Sequence, residues 1–333
     1  SYQFILNPCK HAYPHRPQLK QIIIIVKKHI EIIMVRLNEI KMQDGKIFLI
    51  TGANSGLGYE TSKFLLERGA TVIMSCRDLI KGEKAKQELL KFNFSGKIEL
   101  VELDLSDLIN VKKFAESIKN KFDYLDVLIN NAGIMAPPKT FSKQGFEIQF
   151  AVNHLAHMFL TLELLPMLEE KNNSRVVTVT SGVQYFGKIQ WADLQGNLKY
   201  DRWASYAQSK LANVMFGLEL DSKLKESNSK TSSLLAHPGF ARTNLQPKSV
   251  EANQSWQEGL AYKLMDPMFQ SAKMGALPQI SAATLSSAKG GEQYGPRFSF
   301  RGHPKICSNA PKALNQTSRK KLWDISEKLI KDV

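Results

Sequence analysis

From Lys46 to about Ala288, short apolar runs alternate with stretches of helical apolar spacing. Ile47-Phe-Leu-Ile50 is long enough for one buried strand. The helical spacing that follows passes through Phe64, Leu65 and Leu66 and stops at Gly69. Thr71-Val-Ile-Met-Ser75 predicts a second strand, and a third ends just before Asp104 and Leu105. Leu125-Asp-Val-Leu-Ile129, the β-branched Ser174-Arg-Val-Val-Thr-Val-Thr180 and Ser233-Leu-Leu-Ala236 predict three more. A length of 333 residues allows two domains. The unbroken alternation instead predicts one α/β domain, a single doubly wound (Rossmann) parallel sheet with helices on both faces.

The ends differ from this middle. We divide the chain into a leader (1–41), the sheet domain (42–300) and a basic tail (301–333). Net charge is +14, and residues 1–46 and 301–333 each hold eight Lys/Arg against three Asp/Glu. Such ends are most simply solvated, so no nucleic acid partner is expected. In the leader, Ile22-Ile-Ile-Ile-Val26 and Ile32-Ile-Met-Val35 are interrupted by Lys27, Lys28 and Glu31. That stretch is too short and too charged to span a bilayer. It is read as disordered or non-native, with a surface-lying membrane helix as the less favoured reading. Ser318–Val333 has the spacing of a short amphipathic helix, with Leu322, Trp323, Ile325, Leu329 and Ile330 on one side. Cys9, Cys76 and Cys307 are widely spaced, which suits a reducing, cytoplasmic setting and makes no metal pattern.

Chemistry-bearing residues collect where the predicted strands end, the place where open α/β sheets hold ligands. After the first strand comes Thr51-Gly-Ala-Asn-Ser-Gly-Leu-Gly58, so Gly52, Asn54, Ser55, Gly56, Leu57 and Gly58 lie between a strand and a helix. That context fits a dinucleotide turn, with Gly52 for the bend, Gly56 for pyrophosphate approach and Gly58 for close packing. After the fourth strand, Asn130 and Asn131 can tie loops, and Ala132 and Gly133 leave room for a flat ring or sugar. Ala236-His-Pro-Gly239 follows the sixth. Tyr206 and Lys210 are four apart, so a helix places both on one face. An ammonium beside a phenol favours the phenolate and lowers its pKa from about 10. His154, His157 and His237 have no helical partner pattern for a metal, and no metal is expected.

These motifs, in this order, resemble the short-chain dehydrogenase/reductase family over about residues 44 to 290. Ser75-Cys-Arg-Asp78, Phe146-Glu-Ile-Gln-Phe-Ala-Val-Asn-His154, Gly187-Lys-Ile189 with Asp193-Leu-Gln195, and Tyr206-Ala-Gln-Ser-Lys-Leu-Ala-Asn-Val214 are most like the retinol dehydrogenase group and its bacterial relatives. The resemblance implies that Ser181 hydrogen-bonds a substrate oxygen, that Tyr206 exchanges its proton, and that Lys210 holds the nicotinamide ribose. It implies that Asn153 holds a relay water. Asp104 and Leu105 would line the adenine, and Asn131, Ala132, Gly133, Pro238, Gly239 and Thr243 complete the expected cofactor contacts. The stretch 184–203 matches an insertion typical of the retinol dehydrogenase group.

Cofactor choice turns on the end of the second strand. An acid there holds the ribose 2′-hydroxyl of NAD, but Ser75 and Cys76 are not acidic. Arg77 can pair with a 2′-phosphate, while Asp78 is better placed to start the next helix. NADP(H) is the expected cofactor, with NAD(H) as the alternative. Between Trp256 and Met274, the residues Leu260, Tyr262, Leu264, Met265, Met268 and Phe269 suit either an apolar lid or ordinary packing. The expected reaction interconverts an apolar alcohol and an aldehyde or ketone. A non-catalytic NADP sensor and a sugar-nucleotide epimerase or dehydratase are the competing readings. Many relatives pair through the tyrosine-bearing helix, so a homodimer or homotetramer is expected.

Overall fold

The computed structural model describes residues 40–242, Ser249, Glu251, Asn253, Gly259 and residues 269–331. The two apolar leader runs, Thr243 and the lid residues from Leu260 to Met268 lie outside the described residues. Eight strands form one sheet in the order β3-β2-β1-β4-β5-β6-β7-β8. They are β1 (Ile47–Thr51), β2 (Thr71–Cys76), β3 (Lys97–Glu102), β4 (Val127–Asn130), β5 (Arg175–Val179), β6 (Ser232–Ala236), β7 (Gln293–Pro296) and β8 (Pro304–Cys307). Every pairing is parallel except the last, where β8 runs antiparallel beside β7 with Tyr294 opposite Ile306. The sheet is therefore mostly parallel, with an antiparallel edge that reaches past residue 300.

The central parallel strands β1, β2, β4 and β5 are buried, largely apolar runs because helices cover both faces, while the edge strand β3 carries Lys97, Glu99 and Glu102. The helices α1 (Gly56–Glu67), α2 (Leu79–Leu90) and α6 (Ala272–Thr284) lie on one face. Leu65, Leu66, Ala85, Leu89, Ala276 and Ile280 pack there on Phe48, Ile50, Val72 and Met74. The helices α3 (Leu108–Lys121), α4 (148–169) and α5 (Arg202–Glu226) lie on the other. Phe114, Ile118, Leu155, Leu160, Leu211 and Met215 pack there on Leu49, Ile73, Leu128 and Val176. Strand order reverses between β1 and β4, and that switch point opens a crevice above the strand ends.

Helix starts are set by short polar side chains that accept free backbone N–H groups. Asp78, Asp107, Asp201 and Ser271 cap α2, α3, α5 and α6 in this way. The helix α1 is different. Its N-cap, Ser55, makes no side-chain capping bond. The helix α4 contains a π segment, Ala151–Leu155.

The last helix, α7 (Gln316–Lys331), lies on α5 and on the π segment of α4. Its buried face carries Leu322, Trp323 and Ile330. The Trp323 ring stacks on Phe216 of α5 at 5.9 Å. Arg319 Nε meets the buried Glu219 Oε2 at 3.3 Å, and Ser326 Oγ sits 2.8 Å from His154 Nε2. Among the described residues, no helix is long and apolar enough to cross a membrane.

Candidate active site

The turn between β1 and α1 needs two residues in the left-handed region, where a side chain is strained. Gly52 has φ 66° and Gly56 has φ 55°. Gly58 serves differently. It is buried, and a Cβ there would collide with Gly52 O and sit 2.7 Å from Asn131 Nδ2. Asn131 Nδ2 donates to Thr51 O at 2.7 Å, and Thr51 Oγ1 accepts the N–H groups of Asn131 and Ala132 at 2.9 Å each. The ends of β1 and β4 are thereby locked together. Asn130 instead reaches into α4, donating to Thr161 Oγ1 at 2.9 Å.

A crevice of about 260 Å³ opens above this turn. Gly52, Asn54, Ser55, Gly56, Leu57, Arg77, Asp104, Leu105, Asn131, Ala132 and Gly133 all line it. Gly58 lies behind the turn rather than in its lining. Arg77 is exposed at the rim. Asp78 does not face the crevice as a ligand group. Its carboxylate accepts Lys81 N at 3.0 Å and pairs with Lys81 Nζ at 2.9 Å, which holds its carboxyl below the usual range. Asp104 Oδ1 accepts Ser106 N and Oγ at 2.9 and 2.7 Å.

A second cavity of about 280 Å³ adjoins the first, and Leu57, Asn131 and Gly133 line both. Ser181, Tyr206, Lys210, Pro238 and Gly239 converge here. Tyr206 and Lys210 project from α5, with the ammonium 6.0 Å from the phenol ring centre. Lys210 is buried, its Nζ donates to Val179 O at 3.3 Å, and burial pulls its pKa down to about 8. Thr180 Oγ1 donates to Lys210 O at 2.8 Å, which ties α5 to the end of β5. That bond occupies the Thr180 hydroxyl, while Thr178 Oγ1 is buried without a partner. Thr180 and Ser181 both line the cavity, and Ser181 Oγ accepts Val183 N only at 3.5 Å, which leaves its hydroxyl the less engaged of the two.

Asn153 sits in the π segment just behind this cavity. A Cβ on Gly133 would stand 3.1 Å from Asn153 Oδ1 and 3.3 Å from Lys210 Nζ, so only glycine leaves the space open. The Asn153 side chain binds both polar groups of Ile134, at 2.9 and 3.0 Å, and donates to Ser209 Oγ at 2.9 Å. Its main-chain oxygen lies 3.1 Å from His157 Nδ1, and His157 Nε2 reaches Thr51 Oγ1 at 2.9 Å. Burial draws His157 down to about 4 and His154 to about 3, so both rings are neutral. Among the described residues no cluster of His, Cys, Asp or Glu could hold a metal ion.

Several lining residues carry no motif of their own. Met135, Val183, Trp203, Phe240 and Phe269 supply the apolar wall of the second cavity. The Trp203 ring stands edge-on to Tyr206 at 6.4 Å, and Phe240 packs against Phe269 at 5.9 Å. Of the expected lid, Phe269 is in place and the rest falls outside the described residues, as does Thr243.

The donor set fits a dinucleotide. The uncapped N-terminus of α1 leaves N–H groups and a partial positive charge at the crevice floor, and glycines clear the approach. The short chain dehydrogenase family matches residues 46–254. Retinol dehydrogenase 12 of Bos taurus is 37% identical over 286 residues, 86% of each chain. The crystal structure of an uncharacterized protein from Mycobacterium paratuberculosis is 37% identical, with a TM-score of 0.74 over 90% of this chain and 98% of that one. The RhlG/NADP complex of Pseudomonas aeruginosa shares the fold, with a TM-score of 0.60 at 22% identity over 76% of this chain and 95% of that one. The chain belongs to the short-chain dehydrogenase family and is an oxidoreductase acting on CH–OH groups.

Proposed function

We propose that the protein is an NADP(H)-dependent enzyme that interconverts an apolar alcohol and its aldehyde or ketone. The observation that carries this reading is the convergence of Ser181, Tyr206 and Lys210 in an apolar-walled cavity that meets the glycine-turn crevice at Gly133. A bound nicotinamide dinucleotide supplies the two-electron acceptor or donor. The remaining chemistry belongs to the chain. Ser181 Oγ hydrogen-bonds the substrate oxygen and orients it. Tyr206 takes the hydroxyl proton during oxidation and returns one during reduction. The Lys210 ammonium, 6.0 Å from the phenol ring centre, would favour the phenolate and would hold the ribose of the bound dinucleotide. The wall formed by Met135, Val183, Trp203, Phe240 and Phe269 excludes water and accepts an apolar body.

Arg77, exposed at the crevice rim, and Asp78, whose carboxylate is held by Lys81, support NADP(H) over NAD(H). The NADP bound by RhlG agrees with this choice. The name of retinol dehydrogenase 12 supports an apolar alcohol as the substrate class. The test is a panel of apolar and polar alcohols, aldehydes and ketones followed by NADPH absorbance. Tyr206→Phe should lower turnover by roughly 10²–10⁴-fold while cofactor binding persists. Unchanged turnover would remove Tyr206 from the chemistry, and a wild type that binds NADPH but turns over no compound of the panel would leave only a cofactor sensor.

A further inference from the structure

The motif Phe146–His154 contributes Asn153 to the site, but Gln149, one helical turn earlier, has no part in the chemistry above. Its side chain is fully buried. Gln149 Oε1 accepts the Ala136 N–H at 2.8 Å, and Nε2 donates to Arg202 O at 2.9 Å and to the Tyr200 hydroxyl at 3.2 Å. Ala136 follows Met135, and Arg202 precedes Trp203. Met135 and Trp203 both line the second cavity, and Trp203 stands against Tyr206. One carboxamide therefore fastens the two backbone segments that carry two of its apolar walls.

Ala136 shows how heavily this junction is constrained. It adopts φ 45°, a left-handed conformation that a Cβ disfavours, and it is completely buried. Strain of this kind survives only where neighbours over-determine the backbone. The Ala136 carbonyl accepts Arg202 Nη1 at 3.2 Å, Asn253 Nδ2 at 2.9 Å and Ser249 Oγ at 3.5 Å. The adjoining Glu147 braces the same insertion. Its N–H donates to Gln195 Oε1 at 2.7 Å, its Oε2 accepts Phe150 N at 2.7 Å, and its Oε1 accepts the Tyr200 hydroxyl at 3.2 Å. Three segments far apart in sequence thus meet at one peptide group, and Gln149 is the buried side chain that joins the first two.

We infer that Gln149 is a positioning residue that sets the width of the substrate cavity, and so the size of alcohol or carbonyl compound the enzyme discriminates. This rests on the second cavity being the substrate site. The polar end of Gln149 touches the Ala136 and Arg202 backbone and the Tyr200 hydroxyl and no residue of the glycine turn, so its removal should spare that turn.

Gln149→Met keeps the length and removes every polar contact. Two measurements on the full chain read the result. Hydrogen exchange should accelerate at least about tenfold across 134–136 and 199–204 and stay unchanged across the glycine turn 51–58. With NADPH saturating, KM for the bulkiest accepted substrate should rise at least about tenfold, with kcat within about threefold and small substrates little changed. Gln149→Glu keeps an acceptor for Ala136 but no donor for Arg202, and serves if the first variant does not fold. It should keep 134–136 protected and still lose size discrimination. Unchanged exchange in both segments, or an equal KM rise for substrates of every size, would overturn the inference. If the wild type turns over no apolar alcohol or carbonyl compound, the substrate reading fails, and the exchange result alone still decides whether the clamp exists.

Discussion

Lys210 holds a charge where burial opposes it, and its titration near 8 has two consequences. The ammonium is present below that pH and lost above it. If the ammonium binds the ribose, affinity for NADP(H) falls as pH rises through about 8, and calorimetric titration should show that slope vanish in Lys210→Met. Stability runs the other way. An unfolded lysine keeps its proton up to about 10.5. Between about 8 and 10.5 the unfolded state therefore binds more protons, and this group's contribution makes the fold more stable as pH rises. The burial penalty below that window is about 3 kcal/mol, and urea midpoints of Lys210→Met should lack that part of the pH dependence. Arg77→Ala should weaken NADPH binding by about 1.5–3 kcal/mol and NADH binding far less, and equal losses would remove Arg77 from the choice of cofactor. Tyr206 and Lys210 were legible in the sequence on one helical face by their spacing, and Ser181 and Asn153 through the family resemblance, and of these Ser181, Tyr206 and Lys210 line the second cavity. Met135 and Trp203 were not legible, since nothing local shows that residues far apart in sequence will share one cavity wall, nor that Gln149 will join the segments carrying them.

At the level of elements, α1 is the one whose start contrasts with α2, α3, α5 and α6, all of which are capped by side chains. An N-terminus left open in this way exchanges helix stability for anion affinity. Ser55→Asp should therefore raise the Tm of the cofactor-free protein, since a good N-cap is worth about 1 kcal/mol. The same change should weaken NADPH binding at least about tenfold, because a carboxylate would compete with the phosphates for the same N–H groups. A tighter complex would contradict the placement of the pyrophosphate. The strand and helix alternation was readable because buried parallel strands leave long apolar runs. The antiparallel β8 was not, because Pro304-Lys-Ile-Cys307 is only four residues long and interrupted by Lys305, and only pairing with β7 makes it a strand. The π segment at Ala151–Leu155 leaves no mark in the apolar spacing either, although it places Asn153.

Across the whole molecule, α7 covers a face of α5, the helix that carries Tyr206 and Lys210. Trp323 is the anchor of that contact, stacked on Phe216 and buried. Trp323→Ala should cost about 3–5 kcal/mol in urea unfolding, and a cost below about 1 kcal/mol would mean that α7 contributes little to the fold. A homodimer through the outer face of α5 would have to displace this helix. We expect sedimentation velocity to show no dimer that depends on Phe216 or its neighbours. The two chambers above the sheet have a kinetic meaning as well. Leu57, Asn131 and Gly133 belong to both, so whatever fills the first becomes part of the floor of the second. An alcohol arriving early would find that floor missing. Loading should be compulsory, dinucleotide before alcohol, and product-inhibition patterns that fit random arrival would show that the shared residues impose no sequence of events.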